Sequence, residues 1–245
     1  MLRLREQMAE IIRESSIFKI LIVFLIFMVV NFDPNMAIVF SIMIIADFLI
    51  FKDDNRVSFP FERTTLNRFR GLIETLMVFG GFLFFQSFAL RFLTPSIQST
   101  TQSIQTLLSL YSTTTPALAN NVLLTIIGFG IIVPFVETRF FFGRLYESLA
   151  DRFKIRGGLQ NRKNWIISVF IGGVFALYHL TARRCGSAAT CQNSLLFITF
   201  IFGTLSTLMV IHYRETKQAT FVHVFANMIA ILFSLGLLSI IGLVP

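Results

Sequence analysis

A chain of 245 residues that is 55% hydrophobic and only 14% charged, with a mean hydropathy of +0.75, has more apolar surface than a soluble fold of its size can bury. Its net charge of +8 would suit a nucleic-acid partner. The basic residues, however, are gathered in alternate loops between apolar stretches, the mark of a membrane protein's cytoplasmic side, so no nucleic acid is expected.

In chain order, residues 1–16 place Leu4, Met8, Ile11 and Ile12 at helical spacing among charges. This predicts an amphipathic helix lying on the inner membrane surface. A spanning helix needs about 20 apolar residues. Apolar stretches recur at 17–30, 36–51, 71–92, 121–145, 165–180, 195–211 and 219–244, and the first two need their polar flanks to reach that length. The stretch after Lys19 follows a charged segment with no small-residue cleavage site, so it is expected to be a retained anchor. Lipid leaves only helices or closed barrels as spanning structures, and the runs lack the alternation of barrel strands. The expected fold is therefore all-α: one polytopic transmembrane domain over 1–245, with about seven helices.

Arg3, Arg5, Arg13 and Lys19 precede the first span, and Lys52, Arg56, Arg63, Arg68 and Arg70 follow the second. Arg144, Arg152, Lys154, Arg156, Arg162 and Lys163 follow the fourth, and Arg214 and Lys217 the sixth. The opposite side holds only Arg91, Arg183 and Arg184. The N-terminus is thus expected inside and the C-terminus outside. Outside loops would then include the Ser-, Thr- and Gln-rich stretch 94–115 and the loop with Cys185 and Cys191, either disulfide-bonded or free thiols. Leu145, Leu149 and Phe153 extend the fourth span's helical pattern among charges, predicting an interfacial helix stopped at Gly157 and Gly158.

Ionisable residues inside spans are costly and usually functional. Asp47 and Glu74 fall near inner span ends, within reach of interfacial water or arginine, and His212 lies at the inner boundary. Glu137, His179, His223 and Asn227 lie deeper. Singly, each reads as a helix–helix hydrogen-bonding group; together, on three helices, they read as a site. His223 and Asn227, four apart, share one helix face, and so do Phe175 and His179. If the fourth helix ends near Tyr146, Glu137 lies about two turns from the inner end, whereas His179 would lie about 20 Å up its own span, in the outer half.

The segment FALYH at 175–179 resembles the FxxxH motif of the CPBP family of CAAX proteases and bacteriocin-processing enzymes. HVFAN at 223–227 resembles that family's HxxxN motif, and ETRFFFG at 137–143 is a degenerate form of its EExxFRG motif. The motifs occur in the family's order, within a core over 117–245. Two positions depart: the family's second Glu is Thr138 and its Arg is Phe142. They are four apart, the spacing of a helical ion pair, so both partners of such a pair are replaced together. This fits either a working variant, with Arg139 or Arg144 serving in place of the Arg, or a pseudoenzyme.

The resemblance implies a glutamic-type intramembrane endopeptidase. Glu137 would be the general base, His179 would orient the water, and His223 and Asn227 would donate to the oxyanion, with Thr138, Arg139 and Phe175 in support. It implies no cofactor. The donor types Glu137, His179 and His223 also suit zinc, which leaves a metal-dependent version open. The implied partners are a peptide or protein substrate, lipidated in some family members, and membrane lipid, with the site reached from the cytoplasmic side. The rival class is a non-enzymatic membrane protein: a proton-coupled transporter, which also uses buried Glu and His, or a binding scaffold. Pro134 and the pair Gly172 and Gly173 would supply a transporter's broken helices. A seven-helix receptor fits the helix count but places its N-terminus on the other side.

Overall fold

The computed structural model describes residues 126–155, 157–181 and 189–234, a short helical stretch at 21–26, and residues 19, 42, 45, 73, 77, 80 and 81. The amphipathic segment 1–16, the loop 94–115, the side chains of Cys185 and Cys191, the seven-span count and the orientation of the N-terminus lie outside these residues. All regular structure among the described residues is helical. Four long helices dominate: α1 (Ile126–Arg152), α2 (Arg162–Thr181), α3 (Ala189–Tyr213) and α4 (Lys217–Ser234). Two segments, Ile126–Arg152 and Asn193–Tyr213, are long and apolar enough to cross a membrane, with mean hydropathies of 1.6 and 2.2.

α1 alternates between wide and ordinary turns. Ile126–Ile132 and Thr138–Leu145 are π-helical, while Val133–Glu137 and Tyr146–Arg152 are α-helical. Pro134 lies inside this continuous helix and removes one backbone donor from it, yet the helix runs on through it. Phe140, Phe141 and Phe142 are all fully buried. Consecutive residues on a helix point in different directions, so α1 is enclosed on more than one side here. Phe24, from 21–26, meets Phe141 edge to face with ring centroids 6.2 Å apart.

The expected extension of the fourth span is present, but it ends earlier than Gly157 and Gly158. The amide of Ile155 donates to the Ala150 carbonyl (2.8 Å) and that of Lys154 to Asp151 (3.1 Å). Lys154 takes the left-handed conformation, φ 51°. These two bonds form a Schellman motif with a lysine where glycine is usual. Gly157, at φ +98°, shapes the following loop instead. Asn164, fully buried at the start of α2, clamps that loop by donating to the carbonyls of Gly157 (3.1 Å) and Gly158 (2.8 Å) and accepting from the Tyr146 hydroxyl (3.0 Å). The chain is thereby turned back so that α2 runs antiparallel to α1.

α2 and α3 form the most extensive helix pair. Small buried residues recur every four positions on both: Ser168, Gly172 and Ala176 on α2, Thr199, Gly203 and Thr207 on α3. A Cβ on Gly203 would stand 3.0 Å from the Gly172 Cα, and one on Gly172 would collide with the Thr204 hydroxyl and come 2.7 Å from the Phe200 carbonyl. Small residues at this spacing let membrane helices approach to backbone contact. Gly172 and Gly173 therefore do not break α2; Gly172 is the crossing point, and Gly173 faces open space. α3 begins at Ala189, earlier than the stretch 195–211 suggests, which places Cys191 in its first turn rather than in a loop. Residues 214–216, with Arg214 at φ 56°, reverse the chain into α4.

Candidate active site

Glu137 ends the α-helical segment of α1 and Thr138 opens the π segment that follows, so two successive residues face α4. Both are buried, as is His223 on α4. The His223 ring lies between them. Its Nε2 is 3.5 Å from Glu137 Oε2, and its Nδ1 is 3.1 Å from the Thr138 hydroxyl. The first distance exceeds that of a direct charge-assisted hydrogen bond, about 2.7–2.9 Å. Apolar rings close the other sides. Phe202, Phe175 and Phe142 lie with centroids 4.8, 5.9 and 6.4 Å from the imidazole. The carboxylate and imidazole thus meet in surroundings that screen charge poorly.

His179 joins this cluster through Phe175. The two rings pack at 4.3 Å, and Nδ1 of His179 donates to the Phe175 carbonyl, one turn back (2.9 Å). In a neutral ring that bond leaves Nε2 as the acceptor nitrogen. The sequence reading set His179 in the outer half of the bilayer and Glu137 nearer its inner face; the structure brings them to one level. α1 runs on to Arg152, so Glu137 is about four turns from its C-terminal end. Phe142 of α1 meets Phe175 of the antiparallel α2 at 5.0 Å, and one turn farther from the α1–α2 connection along each helix lie Thr138 and His179.

Asn227 lies on the same face of α4 as His223 but reaches a different part of α1. Its side-chain N–H donates to the Phe129 carbonyl at 2.9 Å. That stretch of α1 contains Pro134, which offers no N–H, and Asn227 brings a side-chain donor to it. One amide N–H of Asn227 is thus committed two turns from Glu137. Arg144 is buried, whereas Arg139 is partly exposed. His212 is exposed at the end of α3. Among the described residues, no group of three or more His, Cys, Asp or Glu side chains is placed to hold a metal ion.

Glu137, His179, His223 and Asn227 are legible in the sequence as candidates, with Thr138, Arg139 and Phe175 in support. Sequence reasoning missed that Phe142 and Phe202 enclose the imidazole and that Tyr146 and Asn164 tie α1 to α2. The run Phe140, Phe141 and Phe142 was the available signal, since three aromatics in a row mark a helix buried on several sides.

Residues 119–229 match the family model described as Type II CAAX prenyl endopeptidase Rce1-like. The stretch contains all the residues just described from Glu137 to Asn227. No curated protein and no solved structure is significantly similar to the chain. Residues 119–229 are thus similar to the Rce1-like type II CAAX prenyl endopeptidases, a family of membrane-embedded proteases that act on peptide or protein substrates.

Proposed function

We propose that the chain is an intramembrane endopeptidase that hydrolyses a peptide bond near the C-terminus of a membrane-associated or lipidated substrate, with Glu137 as the general base. The observation that carries this reading is the buried Glu137–His223 pair, 3.5 Å apart on two different helices and walled by phenyl rings. A water held by the Glu137 carboxylate loses its proton to it as its oxygen bonds to the scissile carbonyl carbon. The carbonyl π electrons move to oxygen, and that oxyanion is stabilised by the single N–H of His223, freed from Glu137 once the carboxylate has taken the water's proton, and by the second Asn227 amide hydrogen. Collapse of the tetrahedral species expels the amine, which takes the proton back from Glu137. His179, its proton on Nδ1, presents Nε2 as an acceptor to orient the water.

The protein is proposed to be multi-pass, with about seven spans, the N-terminus inside and the site open to the cytoplasmic face. The mechanism is proposed to be metal-free, with zinc held by Glu137, His179 and His223 as the alternative.

Glu137→Gln, which keeps shape and removes the base, should lower cleavage of a prenylated CAAX peptide in proteoliposomes by at least about a hundredfold, the lower end of the general-base range. Unchanged cleavage would refute the assignment. Activity that survives strong chelation supports the metal-free mechanism; loss with chelator and recovery with zinc establishes the other.

A further inference from the structure

We infer that Thr138 is a positioning residue that donates its hydroxyl hydrogen to Nδ1 of His223, holding the ring neutral with its proton on Nε2, toward Glu137. The inference rests on the protease reading for its catalytic meaning, but its structural content is independent of that reading.

Each neighbour of the His223 ring can offer only certain contacts. An ionised carboxylate only accepts hydrogen bonds, so Glu137, facing Nε2, calls for a proton on that nitrogen. A neutral imidazole protonated at Nε2 has an acceptor at Nδ1. The polar side chain at Nδ1 is the Thr138 hydroxyl, 3.1 Å away, which can donate. The two requirements agree. The three rings around His223 belong to Phe142, Phe175 and Phe202, whose edges and faces offer no competing strong donor or acceptor.

The departure from the family motif gains a meaning here. A carboxylate at position 138, when ionised, could only accept from Nδ1; the threonine hydroxyl reverses the polarity offered to that nitrogen. Phe142, at the position where the motif has Arg, adds no charge and packs against the same imidazole. Both replacements act on one ring. The result is a site with one carboxylate where the motif has two, and with the tautomer of its histidine set by a neutral donor.

The chain has three histidines, so ¹⁵N-histidine labelling gives a small set of ring signals. Solid-state NMR of the full chain in liposomes at neutral pH, assigned with His212→Gln and His223→Gln, reads the His223 protonation state directly. The expected spectrum is a neutral ring protonated at Nε2. In Thr138→Val, the same ring should shift to a mixture or to the Nδ1-protonated form, with kcat lowered about tenfold to a hundredfold and KM little changed. Thr138→Ser should restore both the spectrum and kcat.

A wild-type His223 that is doubly protonated, or protonated at Nδ1, overturns the inference without needing any variant. A Thr138→Val spectrum identical to wild type also overturns it. If Glu137→Gln keeps full activity while the Thr138→Val spectrum shifts as expected, the general-base role of Glu137 falls and the positioning role of Thr138 stands.

Discussion

The imidazole of His223 is addressed on one nitrogen by Glu137 and on the other by Thr138, neighbours in sequence on the opposite helix. That convergence predicts how the motif's missing pair would behave if restored. Thr138→Glu alone adds a second carboxyl beside Glu137 in a dry site, and Phe142→Arg alone strands a cation among Phe175, Phe202 and His223. Each should lower thermal stability and activity, because an uncompensated buried charge is costly. The double variant should recover part of both losses, with a coupling of about 0.5–3 kcal/mol in a double-mutant cycle. Strict additivity would mean the two positions do not communicate. The sequence exposed this region through charge alone: Glu137, His179 and His223 stood out because hydrocarbon makes ionisable groups expensive. The hydroxyl–imidazole contact was not legible, since it joins residues 85 apart and a threonine in a helix ordinarily bonds its own backbone.

Among the helices, the tightest constraint is the α2–α3 crossing. Gly172→Ala would drive a methyl group into Thr204 and the Phe200 carbonyl, where backbone cannot yield, and should cost about 1–3 kcal/mol. Gly173→Ala, one residue away in open space, should be neutral or stabilise α2 by up to about 1 kcal/mol through helix propensity. Unfolding of the two variants in mild detergent, followed by circular dichroism, checks the contrast; equal behaviour would contradict the crossing described here. From sequence, the two glycines are indistinguishable, and only the rival transporter class would use them as a helix break. Neighbouring residues on a helix point about 100° apart, and only the packing partner tells which direction is crowded. The reversal after α1 was misread for a similar reason. Gly157 looked like the stop signal, yet Lys154 takes the left-handed position because the Ile155 and Lys154 amides find their carbonyls there.

For the molecule as a whole, the exposed apolar side chains of α2 indicate its solvent. Ile166, Phe170 and Leu177 are 68%, 56% and 57% exposed along the helix, a surface suited to lipid. Trp165, the single tryptophan, borders the basic pair Arg162 and Lys163 and donates its indole N–H to the Leu159 carbonyl at 2.8 Å. Aromatic belts lie at headgroup level. Its fluorescence should therefore be quenched more strongly by lipids brominated near the headgroup than by those brominated at the chain ends; the reverse order would place this end of α2 in the bilayer interior. The membrane class was legible from composition because it sums over the whole chain, whereas the π-helical turns of α1 left no mark in the apolar pattern. Gly172 and Gly203 bring the α2 and α3 backbones into direct contact, an approach with no flexible side chain between them. Between α1 and α4 the spacer at Gly130 is the flexible thioether of Met228, whose sulfur would lie 2.5 Å from an added Cβ. Breathing wide enough to admit a polypeptide is therefore expected along the α1–α4 seam: a covalent tether across that seam should stop turnover, and one joining α2 to α3 should leave it intact.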